Sequence, residues 1–365
     1  MGFQDFHGNA ETVRALREML ARGRFPHSVI LHGPVGAGRY TLAQMLAKAM
    51  NCERPPQTGG LPDICGECSS CRRIAQADDF DARFTEAVEA RDGLREADKR
   101  DARLFLQTHP DVTIVPPDPP QMMIKVGQVR RVTETIYFRP AAGRERVYIF
   151  TSSAFIREAA NALLKVLEEP PEFATLILLA ENPGELLPTL RSRCFSVRLA
   201  PLSFTEMEAF LAEAQPKWTA KQRALVARLS EGAVGRARTF DLAAYVEARN
   251  DALALLACAL ESHDHSALFK VTDTYRGGAD GRDKTVRLLR TLYSLLEDML
   301  FLKSGTLELV RNTDLTARLE RLASPVDFAW LASAAQELDQ VEAGMRRNLL
   351  RSLSLDAFAT ALEHD

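Results

Sequence analysis

At 365 residues the chain is long enough for two or three domains with separate cores, and its 46% hydrophobic and 26% charged residues are ordinary for a globular protein. A formal net charge of −3 gives no overall drive toward nucleic acid or an anionic membrane, so any DNA contact must come from a local patch. No apolar run approaches the ~18 residues of a membrane span, and Met1-Gly2-Phe3-Gln4-Asp5 carries no signal-peptide pattern, so no membrane partner and a cytoplasmic location are expected.

Residues 9–22 predict an amphipathic helix, with Val13, Leu16, Met19 and Leu20 on one face and Asn9 as N-cap. Ser28-Val29-Ile30-Leu31 reads as a buried strand. It runs into His32-Gly33-Pro34-Val35-Gly36-Ala37-Gly38-Arg39-Tyr40-Thr41, after which Leu42, Met45, Leu46, Ala49 and Met50 carry helical spacing. Strand, glycine-rich turn and helix is the layout of a phosphate-cradling P-loop. Gly33, Gly36 and Gly38 would let backbone N–H groups converge on phosphate, and the helix N-terminus would add positive potential. The motif requires Lys and then Ser or Thr after its last glycine. Arg39 and Tyr40 stand there instead, and Thr41 comes one place late.

The next helix leads to Cys52, which is separated by twelve residues from Cys65-Gly66-Glu67-Cys68-Ser69-Ser70-Cys71. Four cysteines, three of them at two-residue gaps, suit tetrahedral structural Zn(II), with Zn–S near about 2.3 Å. No ligand position is left open for catalysis. Residues 78–107 alternate acids and bases, among them Glu86, Glu89, Arg91, Asp92, Arg95, Glu96, Lys99 and Arg100, and read as an exposed helical insertion or arm.

Val112-Thr113-Ile114-Val115 predicts a strand, closed by Pro116-Pro117. Val126, Val129, Val132 and Ile136 mark a helix with Arg130 and Arg131 on its polar side. Arg146 to Phe150 is a further strand, residues 159–169 a helix stopped by Pro170-Pro171, Thr175 to Leu179 a strand, Leu186 to Arg191 a short helix and Phe195 to Leu199 a last strand. Strands alternating with helices through about residue 200 indicate an α/β domain with a parallel sheet. Beyond Pro201 leucine-rich helical patterns take over, with two or three short helices over 204–242. From about 243 five or so longer helices follow, one of them carrying Val286, Leu289, Leu292, Leu296 and Leu300. Composition breaks near 200 and 242 divide the chain into three domains: 1–200, 201–242 and 243–365.

A working P-loop ATPase also needs acids after a buried strand to hold Mg2+ and polarise water. After Val147-Tyr148-Ile149-Phe150 stand Thr151, Ser152, Ser153 and Ala154, and the next carboxylate, Glu158, falls in the following helix. The lysine, the adjacent hydroxyl residue and the acids are missing together, so neither ATP binding nor hydrolysis is expected at this loop. Thr189-Leu190-Arg191-Ser192-Arg193-Cys194 stands apart as an arginine-bearing turn before the last strand.

The four-cysteine module after the P-loop helix, Ala160-Asn161-Ala162-Leu163-Leu164-Lys165-Val166-Leu167-Glu168-Glu169-Pro170-Pro171, and Leu190-Arg191-Ser192-Arg193-Cys194 together resemble the subunits of the bacterial replicative clamp loader of DNA polymerase III, members of the AAA+ superfamily. The missing catalytic residues are similar to those of the delta-prime type. The resemblance covers roughly residues 4–200. It implies a RecA-like AAA+ domain with an inserted zinc module over 1–200, a helical lid over 201–242 and an α-helical collar over 243–365. It also implies that Arg193 acts in trans as an arginine finger on ATP bound to a neighbouring gamma/tau motor subunit. The implied partners are gamma/tau and delta subunits, with the sliding clamp and primed DNA reached through the assembled complex. Two departures stand out: Ala180-Glu181-Asn182 lacks the usual polar sensor pattern, and Arg236 is one place away from the expected lid arginine near Gly235. Two other classes of function remain open to test, a gamma/tau-like motor ATPase working through Arg39 and unrecognised acids, and a zinc-dependent nucleic-acid-binding module. Near-neutral charge and the absence of interleaved aromatics count against the latter.

Overall fold

The computed structural model describes residues 2–95, 98–99, 102–262, 265–275, 278–346 and 351–362. Glu96 and Arg100 of the charged stretch lie outside the described residues. The chain forms two compact units, one of Met1–Phe210 with Glu231–Arg238 and one of Leu211–Ser230 with Thr239–Asp365. No helix of the structure is long and apolar enough to cross a membrane.

The first unit is built on a six-stranded sheet of β1 (Ser28–His32), β4 (Leu106–His109), β5 (Val112–Val115), β6 (Arg146–Phe150), β7 (Ala174–Ala180) and β8 (Phe195–Arg198), ordered β4-β5-β6-β7-β1-β8. All neighbours are parallel except the edge pair β4 and β5. The expected parallel sheet is therefore a mostly parallel one, because the chain leaving the charged stretch adds an antiparallel edge before it turns into β5. β2 (Gln57–Thr58) and β3 (Leu61–Pro62) form a separate two-stranded hairpin between Cys52 and Cys65.

Residues alternate between the two faces of the sheet, as extended backbone requires. Val29, Leu31, Val147, Ile149, Ile177 and Leu179 enter one core with α1 (Ala10–Ala21) and α2 (Arg39–Asn51). Ile30, Tyr148, Phe150, Leu176 and Leu178 enter a second core with α5 (Val126–Thr135) and α6 (Arg157–Glu168). In the first core α3 (Ser69–Ala75) starts within the cysteine module, with Cys68 as its N-cap and Cys71 in its first turn, and α4 (Phe80–Asp92) follows. No residue of α4 is fully buried, as its alternating charges predict, yet Phe80, Phe84 and Ala87 pack on the core and Arg91 pairs with buried Asp118. The unit closes with α7 (Pro188–Arg191), the start of α8 (Phe204–Ala214) and α10 (Val234–Arg238).

Asn9 occupies the position before α1, but its side chain makes no cap. It donates from Nδ2 to the Ala200 carbonyl at 3.0 Å and accepts the Ala200 amide at 2.8 Å, stitching the start of the chain to the end of the sheet.

The second unit is helical: α9 (Ala220–Leu229), α11 (Leu242–Ala257), α12 (His265–Asp273), α13 (Gly278–Ser304), α14 (Thr316–Ala323), α15 (Phe328–Arg346) and α16 (Arg351–Ala361), with the end of α8. Leu289, Leu292 and Leu296 of α13 are buried in its core, while Leu300 of the same row is exposed. Asp298, fully buried, accepts the backbone amides of Arg311 at 2.8 Å and Asn312 at 2.9 Å and the Asn312 side-chain amide at 2.8 Å. That carboxylate fixes the connection between α13 and α14.

Candidate functional site

The glycine-rich loop leaves the carboxyl end of β1, which lies between β7 and β8. Gly33 donates its amide to Ala180 O at 3.3 Å, and a Cβ at Gly33 would lie 2.3 Å from the Leu199 carbonyl, so no side chain fits there. Gly38, at φ 86°, sits in the left-handed region as N-cap of α2, with the Phe6 ring 2.9 Å from where its Cβ would stand. Gly36 accepts the Gly235 amide at 2.8 Å, which seats the start of α10 on the loop. Arg236, beside it, directs its guanidinium to Glu231 at 2.9 Å.

Arg39 and Tyr40 open α2 in different surroundings. Burial lowers the pKa of the Arg39 guanidinium, and the carboxylates of Glu181 and Glu185, close enough to act on its charge, oppose that shift. Ser153 donates to Glu185, and Thr151 Oγ1 is buried without a hydrogen-bond partner among the described residues. The segment after β6 therefore presents neutral hydroxyls, and the acids at this end of the sheet come from the connection after β7. They face an arginine rather than a metal site built on β6. Asn182 uses its side chain on its own turn, accepting the Gly184 amide at 2.8 Å.

Tyr40 is turned to structural use. Its hydroxyl donates to Ala77 O at 2.5 Å and accepts from Gln44 Nε2 at 2.8 Å, and its ring meets Phe80 edge-on at 5.2 Å. Burial raises the phenol well above its ordinary pKa. Two turns further along α2, Lys48 Nζ pairs with both Asp78 oxygens at 2.6 and 2.7 Å. Both contacts fasten α2 to the chain just beyond the cysteine module.

In that module the sulfurs of Cys52, Cys65, Cys68 and Cys71 all lie within 4.8 Å of one another, an arrangement that can hold a metal ion. Cys65 Sγ and Cys71 Sγ are 3.9 Å apart, close to the ~3.8 Å edge of a tetrahedron with metal–sulfur bonds near 2.3 Å. The backbone N–H groups of Cys68 and Cys71 donate to Cys65 Sγ and Cys68 Sγ at 3.4 Å each. Burial raises the Cys52 and Cys71 thiols. It acts the same way on Cys65, but the amides of Cys68 and Glu67 and the neighbouring Cys52 and Cys68 side chains together outweigh it and bring that thiol down to about 7. Arg17 of α1 grips the hairpin between the cysteines, donating to Pro62 O at 3.0 Å, Thr58 O at 2.7 Å and Leu61 O at 2.9 Å. His109 accepts the Asp111 amide on Nδ1 and so donates from Nε2 to Ser70 Oγ at 3.2 Å, tying the module to β4.

Arg193 lies apart from the loop, in the turn between α7 and β8. Ser192 Oγ donates to Thr189 O at 3.1 Å, and Cys194 packs on the second core, where burial pushes its thiol up to about 12. Between them Arg193 is exposed. Its Nε and Nη2 both reach Glu168 Oε1, at 3.0 and 2.7 Å, and its Nη1 donates to Thr189 O at 3.0 Å. The sequence singled out Arg193 and Glu168 in separate motifs. Their pairing joins residues 25 positions apart and has no local signature.

A mostly parallel sheet with a glycine loop between strand and helix, a second helix seated on that loop and a cysteine module inserted after it defines a P-loop-type α/β protein of the AAA+ class. The family model described as DNA polymerase III, delta subunit, matches residues 8–203. Residues of this chain are 30% identical to DNA polymerase III subunit tau of Escherichia coli over 237 positions, 64% of this chain and 31% of that protein. They are 32% identical to DNA polymerase III subunit delta-prime of Pseudomonas aeruginosa over 174 positions, 47% of this chain and 43% of that protein. The chain thus spans less than half the length of these relatives. A solved gamma subunit-related protein of Thermotoga maritima aligns over 96% of this chain and 100% of its own at 17% identity, with a TM-score of 0.47. The chain belongs to the DNA polymerase III clamp-loader family.

Proposed function

We propose that this chain is a non-catalytic clamp-loader subunit of the delta-prime type, which supports ATP-dependent loading of the sliding clamp onto primed DNA and supplies Arg193 in trans to ATP on a gamma/tau motor subunit. The observation that carries this reading is the contrast between two arginines. Arg39, in the nucleotide loop, is half-buried and faces Glu181 and Glu185, whereas Arg193 is exposed on a turn anchored by Ser192 and Cys194. Carboxylates facing the loop repel a triphosphate, and Tyr40 is committed to Ala77 where a metal-binding hydroxyl belongs. In this reading 1–200 is the AAA+ domain, 201–242 a lid and 243–365 a collar that meets gamma/tau and delta in the cytoplasm.

The four cysteines hold structural Zn(II) in the same reading. The ion would supply four metal–sulfur bonds that fold the 52–71 module without a core of its own. Arg17, His109 and Ser70 orient the backbone around it.

The test is clamp loading by the complex reconstituted with Arg193→Ala. Removing a trans-acting arginine lowers turnover at the site it serves by about 10³-fold or more, so loading that depends on that site collapses. Wild-type loading by the variant overturns the reading. The acids near Arg39 favour one competitor, a gamma/tau-like motor ATPase working through Arg39, Glu181 and Glu185. Tight, Mg2+-dependent ATP binding with turnover by this chain alone selects it.

A further inference from the structure

We propose that Glu168 is a restraint on Arg193, holding the guanidinium folded back on its own chain until a neighbour's phosphate displaces it. The inference rests on the reading of Arg193 as a trans-acting arginine and names what regulates it. Both two-donor edges of the guanidinium are already engaged: Nε donates to Glu168 Oε1, with Nη2 in ion-pair contact with the same oxygen, and Nη1 donates to Thr189 O and to Ser192 Oγ at 3.2 Å. A phosphate oxygen pair needs a free two-donor edge, and none remains. Arg193 must therefore exchange at least one protein acceptor before it can grip a phosphate.

Glu168 is placed where folding gives it little reward. It is the last residue of α6, where the helix dipole is negative, and Glu169 follows it, so a carboxylate here is locally unfavourable until a cation covers it. The pair is also open to water, with Arg193 at 35% and Glu168 at 51% side-chain exposure. An exposed pair is weak enough to exchange readily. A triphosphate carries more charge than one carboxylate and displaces it. The two motifs that the sequence sets apart, Leu-Glu-Glu-Pro-Pro and Ser-Arg-Cys, thus meet in one reversible contact.

The experiment measures ATPase rate against ATP concentration in the complex reconstituted with gamma/tau, delta, clamp and primed DNA. It compares wild type, Glu168→Gln, Arg193→Ala and the double variant. Gln keeps an acceptor of the same shape and removes the charge. Glu168→Gln lowers the half-saturating ATP concentration by up to about five-fold at unchanged kcat, and the gap to wild type narrows as salt is raised. In the Arg193→Ala background the effect of Glu168→Gln disappears. A fall in kcat, no shift in half-saturation, or the same shift without Arg193 each overturns the restraint. Wild-type kinetics with Arg193→Ala instead removes the trans-acting role itself, so the two failures are told apart.

Discussion

Replacing Tyr40 with Thr restores the residue type that a nucleotide-binding P-loop carries, and the structure says that this makes the protein worse. The change deletes the hydroxyl bond to Ala77 O at 2.5 Å, a net loss of about 1 kcal/mol. It deletes the edge-on ring contact with Phe80 at 5.2 Å, worth about 0.5–1.5 kcal/mol beyond area. Exchanging a half-buried ring for one methyl forfeits roughly a further 1–2 kcal/mol of apolar burial. The sum is near 3 kcal/mol, a fall of about 6–12 °C in Tm for a unit of this size. Denaturant unfolding followed by far-UV circular dichroism reads the loss, because Trp218 and Trp330 both belong to the helical unit and their fluorescence does not report on the unit that holds Tyr40. Tyr40→Phe separates the terms by losing only the hydroxyl share. With Arg39→Lys added, the double variant still gains no ATP turnover, because Thr151, Ser152 and Ser153 supply no metal-binding carboxylate and Glu181 and Glu185 remain. A Tyr40→Thr protein as stable as wild type, or a double variant that hydrolyses ATP, refutes the reasoning.

Protein purified without chelators contains one zinc per chain, and Cys65→Ser or a strong chelator removes it together with on the order of 10 kcal/mol of local folding free energy in the module, read by metal analysis and proteolysis. Metal-free protein with an intact module rules this out. Asp111 is buried and, against the burial that would raise its pKa, is held below the ordinary carboxylate range by the amides of Ala141, Gly143 and Ala142 and by Arg146. A depressed folded pKa stabilises above the unfolded value near about 3.9 and is lost as pH falls through the folded pKa. Asp111→Asn is therefore less stable than wild type at neutral pH, and the gap closes below about pH 4. A gap that widens in acid reverses the sign and defeats the assignment. Asp298→Ala leaves the amides of Arg311 and Asn312 without their acceptor in the helical unit and costs about 3 kcal/mol in denaturant unfolding, against under 1 if the network is incidental.

What the sequence made legible follows from how local each signal is. β1, β5, β6 and β7 are short apolar runs bounded by turns, and their positions could be read to within a residue or two. β4 could not, because Leu106-Gln107-Thr108-His109 is a half-exposed edge at the tail of a charged stretch and has no apolar run. The two-residue strands of the hairpin fall below any periodic signal. The closeness of the four sulfurs was written in the cysteine spacing. The contacts of Arg39 with Glu181 and Glu185, and of Arg193 with Glu168, join distant positions and exist only after the sheet has assembled. Asn9 shows the limit from the other side: the residue stands where a cap belongs, but Ala200 offers it two hydrogen bonds across the fold and takes the side chain.

The loop's shape and its lost chemistry are separable because different groups hold them. Each signature glycine has a packing reason within this chain: the Leu199 carbonyl over Gly33, the Arg236 amide nitrogen 3.0 Å from where a Gly36 Cβ would stand, and the Phe6 ring over Gly38. A side chain would collide with backbone at Gly33 and ring at Gly38 and would crowd backbone at Gly36, so the fold itself favours this turn whether or not phosphate ever enters it. The side chains that would hold phosphate and metal are not needed to form the turn. Residue 40 could therefore become a tyrosine docked on Ala77, and the segment after β6 could become Thr151, Ser152 and Ser153, without disturbing the turn. In the proposed function, a loop that keeps its glycines while lacking the lysine, the adjacent hydroxyl residue and the acids is what remains when the packing role persists and the nucleotide role does not. On this argument glycine substitutions in the loop act on stability, whereas in the proposed function Arg193 acts on a neighbour's chemistry. Arg39 and Arg193 answer to different assays.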